Sequence, residues 1–175
     1  MRWMWIDQIT ELVPGKRMVA IKNVSLAEEH LHDHFAAVGD LEALPVCPAS
    51  LIIEGMAQTA GILVGAARDF QNNVILAKIA RATLDAEVFP GQTIRFEAEV
   101  TNLDAAGAAT TGVVSRSDAG SGEWTVIGHI DLLFSHADQS MSGVALPDHN
   151  FVFGDNLKII LQSTGLVVAP PTGER

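Results

Sequence analysis

Cysteine and basic residues are both scarce in this 175-residue chain. The single cysteine, Cys47, excludes an internal disulfide framework and fits a reducing compartment, so we expect a cytoplasmic protein. Lys and Arg number 11 against 21 Asp and Glu, which gives a net charge of −10, and Lys16-Arg17 is the one adjacent basic pair. Nucleic-acid binding needs a basic stripe that neutralises phosphates, so we expect no nucleic-acid partner.

Long uninterrupted apolar runs are also lacking. The longest apolar-leaning stretch, Ser50 to Ala67, is broken by Glu54 and Gln58, which argues for a buried helix and against a membrane span. The apolar run at the N-terminus is too short for a signal peptide. Hydrophobic residues make up 48% of the chain and charged residues 18%, so we expect one folded domain with a substantial core.

The order of the predicted elements indicates an α+β fold. Trp5 to Leu12 has the apolar spacing of a short amphipathic helix, Arg17 to Val24 alternates as a strand does, and Ser50 to Phe70 is the clearest helix. That helix is apolar on nearly all sides, which places it in the middle of the structure. An antiparallel sheet is expected to wrap around it. Four strand-like runs follow the helix: Val74 to Ala82, Thr93 to Leu103, Ala109 to Ser117 and Trp124 to Ser135.

Glu54 is the unusual residue of the central helix, because it is a carboxylate among apolar neighbours, one turn before Gln58. Burial penalises a charged carboxylate, so Glu54 is expected to hold a proton near neutral pH, as a general acid must. The structural alternative is a side chain that projects into solvent at the helix edge. The apolar surroundings favour the buried interpretation.

Two other groups of residues invite a chemical interpretation. His30, His32 and His34 lie within five residues of one another, but their spacing matches no standard metal site, so we expect no metal and interpret His30 and His32 as part of a solvated acidic turn. Cys47 precedes the central helix, whose dipole could favour a thiolate. A small buried hydrophobic residue is the favoured interpretation of this cysteine.

The stretch His34-Phe35, followed by Pro45 to Gln58 (PVCPASLIIEGMAQ), resembles the signature of the β-hydroxyacyl-ACP dehydratases of type II fatty acid synthesis. In that family His-Phe-Pro-Gly precedes a second Pro-Gly and a helix that reads Leu-x-x-Glu-Ala-x-Ala-Gln. Pro14-Gly15 and Phe89-Pro90-Gly91 also occur in the family's order. The resemblance runs from about Trp5 to His136.

This resemblance implies a hot-dog fold over residues 1–138. It also implies a homodimer, or a trimer of dimers, in which each site combines His34 of one subunit with Glu54 of another. His34 would remove the α proton of a 3-hydroxyacyl thioester carried by acyl carrier protein (ACP) or coenzyme A, and Glu54 would protonate the departing hydroxyl. No cofactor is implied. The backbone N–H of Ala49 would polarise the thioester carbonyl, and the expected substrate-binding set is completed by Gln58, Phe35 and Phe89.

The chain departs from the family pattern at three places. Ala36-Ala37 replaces the first Pro-Gly, with six extra residues between His34 and Glu54; Ala49 replaces a glycine; and Asp85-Ala86 replaces a basic pair. Residues 139–175 lie beyond the resemblance, and we expect an extension of unknown role, packed on the same domain with a frayed end. Two alternatives stay open: a hot-dog protein that binds acyl thioesters without dehydrating them, and an acyl-CoA or acyl-ACP thioesterase.

Overall fold

The computed structural model describes residues 4–33, 35–137, 140–141, 144–145 and 152–163. Its centre is a six-stranded antiparallel sheet with the strand order β1-β2-β4-β5-β6-β3, and a long helix, α2, packs against five of these strands. The α+β expectation is therefore confirmed. The strands are β1 (Gln8–Val13), β2 (Arg17–Asn23), β3 (Asn73–Leu84), β4 (Gln92–Leu103), β5 (Gly107–Asp118) and β6 (Thr125–Ala137), followed by a small hairpin of β7 (Ser140–Met141) and β8 (Val144–Ala145). The helices are α1 (Glu29–Asp33), α2 (Ala49–Ala66) and α3 (Asp155–Ser163).

The helix α2 packs closely on the sheet because glycines lie at two points of contact. A Cβ atom at Gly55 of α2 would lie 2.3 Å from the Phe96 ring of β4, and a Cβ at Gly112 of β5 would lie 2.5 Å from Met56 of α2. Both positions therefore require glycine for packing. By length and composition α2 could cross a membrane, but 67% of it is buried inside the protein, as is typical of a core helix.

The first element is a strand and not the predicted helix. β1 pairs with β2, with Ile9 opposite Ala20, and Ile9 is 1% exposed. The apolar residues between Trp5 and Leu12 are spaced as on a helix face, but pairing with β2 satisfies the backbone and buries Ile9 at the same time. Tertiary pairing here overrides a local pattern.

The C-terminal segment returns to the core. Phe153, Leu157 and Leu161 are buried, and α3 packs beside β1. Among its described residues the C-terminal extension thus contains a helix, α3, over Asp155–Ser163. The domain boundary predicted at 138/139 and the frayed end fall on residues outside the described part of the chain.

Candidate active site

A cavity of about 430 Å³ lies at the N-terminus of α2. Phe35 and Ala49 both line it, so the structure brings these two predicted site residues together. Pro48 precedes the helix, and none of the described side chains caps it. The first N–H groups of a helix have no partner inside the helix, and the helix dipole adds positive potential there. The site can therefore stabilise negative charge on an oxygen. The lining residues are Phe35, Val46, Cys47, Pro48, Ala49, Ser50, Ile52, Leu84, Asp85, Ala86 and Glu87.

Glu54 and Gln58 lie one turn apart on α2 and are hydrogen-bonded. The Gln58 Nε2 donates to Glu54 Oε1 at 2.8 Å, while the Gln58 Oε1 accepts the Trp5 backbone N–H at 2.7 Å. Because the Trp5 backbone N–H can only donate, this bond fixes which end of the Gln58 amide faces Glu54. Glu54 is half-buried, whereas Gln58 is 3% exposed. The result is a carboxyl group held in one orientation at a partly open surface.

A second cavity, of about 140 Å³, lies beside Glu54 and Gln58. Neither Phe35 nor Ala49 lines it, so a single chain does not bring Glu54 together with the first cavity. Phe89 is half-buried and lines neither cavity. His34 lies outside the described residues. The second cavity is lined by Glu54, Ala57, Gln58, Gly61, Val74, Leu76, Phe134, Val152 and Phe153.

A buried charge cluster surrounds Lys22 of β2, and its charges also act on the Cys47 thiol. The Lys22 Nζ lies 2.5 Å from Glu28 Oε1 and 3.2 Å from Asp7 Oδ1, and 4.8 Å above the Trp5 ring. Burial by itself lowers the pKa of Lys22, but the hydrogen bond to Glu28 and the charge of Asp7 outweigh it and raise the pKa. Sequence reasoning missed this cluster, although a lysine within an apolar strand is a signal that could have revealed it.

His30 occupies a different environment from the one predicted. Its ring packs edge-on against Trp5 at 5.0 Å, and its Nε2 lies 3.7 Å from Glu28 Oε2, so it is not part of a solvated turn. The next residue, Leu31, is 2% exposed and belongs to the hydrophobic core, so this segment packs against the core. Among the residues that the structure describes, no three His, Cys, Asp or Glu side chains are grouped to hold a metal ion.

Cys47 is a buried thiol. It is 3% exposed, and burial, with a smaller contribution from the charge of Glu28, raises its pKa to about 11. A nucleophilic cysteine needs a thiolate near neutral pH. The interpretation of Cys47 as a small buried hydrophobic residue therefore agrees with the structure.

The comparisons with known proteins show the family. The model of the FabA-like domain matches residues 2–123, and the chain belongs to this family. A curated relative, the 3-hydroxyacyl-[acyl-carrier-protein] dehydratase FabZ of Ruminiclostridium cellulolyticum, is 36% identical over 96 residues, which cover 54% of this chain and 63% of the relative. The protein of the same name from Geotalea uraniireducens is 37% identical over 100 residues, which cover 55% and 65%. The chain thus spans less than two thirds of the length of these relatives.

Solved structures confirm the hot-dog fold. The dehydratase heterocomplex ApeI:P from Xenorhabdus doucetiae aligns with a TM-score of 0.58 at 16% identity over 78% of this chain and 84% of that chain. An acyl-CoA hydrolase mutant from Staphylococcus aureus aligns with a TM-score of 0.55 at 12% identity, over 86% and 83%. Because these two proteins are named for different reactions, the shared fold does not decide which reaction this chain catalyses.

Proposed function

We propose that this protein dehydrates 3-hydroxyacyl-ACP to trans-2-enoyl-ACP in type II fatty acid synthesis, in the cytoplasm and without a cofactor. The observation that carries the proposal is the position of Glu54 in α2, where Gln58 donates a hydrogen bond to it within a helix motif that resembles the dehydratase signature. The FabA-like domain and the curated FabZ relatives support the reaction class. We assign the domain to residues 1–138 and an extension to residues 139–175.

The proposed reaction divides proton transfer between His34 and Glu54. The His34 imidazole takes the proton from C2 of the substrate, and the electron pair of that C–H bond forms the C2=C3 double bond. The C3–O bond breaks, and the hydroxyl leaves as water with the proton from Glu54. The N–H of Ala49 hydrogen-bonds the thioester carbonyl, where negative charge develops when C2 loses its proton. An imidazole and a carboxyl group of different proton affinity suit such an elimination.

The proposed site is shared between two chains of a homodimer. Within one chain Glu54 and Ala49 line different cavities. A site that uses both residues on one substrate would therefore combine the two cavities of different chains. The edge strand β3 is the proposed contact: it is 12 residues long, and Leu76 and Ile79 on it are 38% and 44% exposed. An open edge of this kind favours pairing with a second chain. A trimer of such dimers is the higher assembly that we propose to test.

The carrier group is proposed to be ACP. Asp85 and Glu87 line the first cavity, so an acidic carrier would need basic residues elsewhere. Arg81 and Arg95 form ion pairs with Asp131 and Glu97, at 2.9 Å and 2.6 Å. Of Lys78, Arg81 and Arg95, the exposed Lys78 on β3 is then the candidate docking residue. A coenzyme A thioester is the alternative carrier, and parallel assays with both carriers distinguish them.

The acyl group is proposed to contact Phe35, Gln58 and Phe89. Phe35 is 45% exposed and lines the first cavity, so it can cover a bound thioester. Gln58 would contact the acyl group in the second cavity, which it lines together with Glu54. Phe89 lines neither cavity in the single chain, and it would reach substrate through the assembled dimer.

The test uses His34→Ala and Glu54→Gln, each assayed for enoyl formation from 3-hydroxybutyryl-ACP. Each variant is expected to lose about 100-fold or more of kcat, as removal of a general acid or base does. Mixing the two inactive variants under conditions that exchange subunits should restore about a quarter of wild-type activity, since half of the dimers carry one intact site. Turnover unaffected by either substitution refutes the proposal, and release of free thiol without enoyl product indicates a thioesterase.

A further inference from the structure

The wall of the cavity beside Glu54 comes partly from outside the family domain. Val152 and Phe153 line this cavity with Glu54, but the family match ends at residue 123. The other side chains around it that come from the sheet are apolar, namely Val74 and Leu76 from β3 and Phe134 from β6.

This wall is an integral part of the core. Phe153 is 4% exposed, packs edge-on against Phe70 at 5.0 Å, and fills the space above Gly65, where a Cβ atom would lie 2.6 Å from its ring. Leu157 and Leu161 of α3 are also buried, so the following helix holds the segment in place. Displacing Phe153 would therefore require several buried contacts to open.

The position of the wall matters because Glu54 would act at C3 of the substrate. The acyl chain beyond C3 must then start beside Glu54 and needs apolar space. The cavity supplies it over about 140 Å³, and a protein cavity of about 150 Å³ is known to hold a molecule of benzene, with six carbons.

We propose that Val152 and Phe153 end the acyl cavity and restrict this enzyme to short and medium acyl chains, with room for about six carbons beyond C3. This inference rests on the proposed dehydratase function. By this proposal the C-terminal extension sets the length of the acyl chain that the enzyme accepts, whereas the proposed catalytic residues His34 and Glu54 belong to the family domain.

The experiment compares kcat/KM for a series of substrates from 3-hydroxybutyryl-ACP to 3-hydroxytetradecanoyl-ACP. The wild-type protein should lose about tenfold or more for each methylene that exceeds the cavity. Val152→Ala and Phe153→Leu enlarge the cavity, and each should raise the ratio of long-chain to short-chain kcat/KM by about tenfold. Ile94→Val is the control, because Ile94 is a fully buried core residue of β4 that lines neither cavity and lies outside the C-terminal segment. Its profile should keep the wild-type shape.

Binding separates this inference from the proposed function. Calorimetric titration with saturated acyl-CoA thioesters of the same lengths measures the cut-off without any turnover. If no enoyl product forms from a substrate of any chain length, the dehydratase proposal fails. A chain-length cut-off in binding that changes in Val152→Ala would still support the inference that Val152 and Phe153 end the acyl cavity. If dehydration occurs but the cut-off is identical in the wild-type protein and in folded Val152→Ala and Phe153→Leu, the wall inference is wrong.

Discussion

Replacing Lys22 with methionine removes the cation from the buried charge cluster while keeping most of the side-chain volume. The Lys22 side chain is 8% exposed, and its carboxylate partners Glu28 and Asp7 are 23% and 37% exposed. Removing one partner of a buried ion pair costs about 3–5 kcal/mol. Because both carboxylates keep some contact with water, we expect the lower end, about 3 kcal/mol. For a chain of this length that corresponds to a fall in Tm of about 6–12 °C.

Urea unfolding of Lys22→Met, Glu28→Gln and the double variant measures this effect. The double variant should be more stable than the sum of the single losses predicts, with a coupling free energy of about 2 kcal/mol, because Glu28→Gln removes the carboxylate that lost its cation. Lys16→Met is the matched control: Lys16 is exposed and forms no ion pair with the described residues, so its unfolding free energy should change by less than about 0.5 kcal/mol.

The pH dependence gives a second check on Lys22. Its pKa is raised in the folded protein, so its contribution is complete below the unfolded value of about 10.4 and is lost as pH rises through the folded value. The difference between the wild-type protein and Lys22→Met should thus be constant around neutral pH and shrink only in strong alkali. An equal, small effect of Lys22→Met and Lys16→Met would refute the reasoning.

Two helix glycines, the buried thiol and one sheet carboxylate each give a further prediction. Gly55→Ala should destabilise by about 1–3 kcal/mol in urea, because its Cβ would overlap Phe96, whereas Gly61→Ala, with 3.5 Å to its nearest atom, should be neutral or stabilise by up to about 1 kcal/mol. Cys47 should not react with a thiol reagent in the native protein at pH 8, where roughly one thiol in a thousand is ionised, and should react fully in urea. Burial raises the pKa of Asp131, but hydrogen bonds from neighbouring side chains outweigh it and lower the pKa. The stability advantage of wild type over Asp131→Asn should therefore be present above about pH 4 and disappear as pH falls through the lowered pKa.

The central helix and the strands that follow it could be predicted from the spacing of apolar residues in the sequence. The apolar patterns of the helix around Glu54 and of the strands after it agree with the observed elements. The helix was predicted to end at Phe70, whereas α2 ends at Ala66. The segment from Trp5 to Leu12 was not predictable in this way. Its apolar spacing suits a helix, and its strand conformation depends on pairing with a segment that lies several residues further on.

Parts of the candidate site depend on contacts that no local pattern contains. The hydrogen bond between Gln58 and Trp5 joins residues 53 positions apart, and it orients Glu54. Likewise, Phe153 contacts Gly65 although about half of the chain separates the two residues. The residue types at Glu54 and Gln58 are readable from sequence, but their partners become visible only when the sheet and the C-terminal segment have been brought against α2.

The two edges of the sheet differ in a way that limits how copies of the chain can associate. The β1 edge has α3 packed beside it, whereas the β3 edge has no neighbouring strand within the described chain. Under the proposed pairing through β3, sheet extension from copy to copy uses the β3 edge of each chain. Two copies joined in this way have used both of their β3 edges, so this contact by itself joins two copies and does not continue into a longer series.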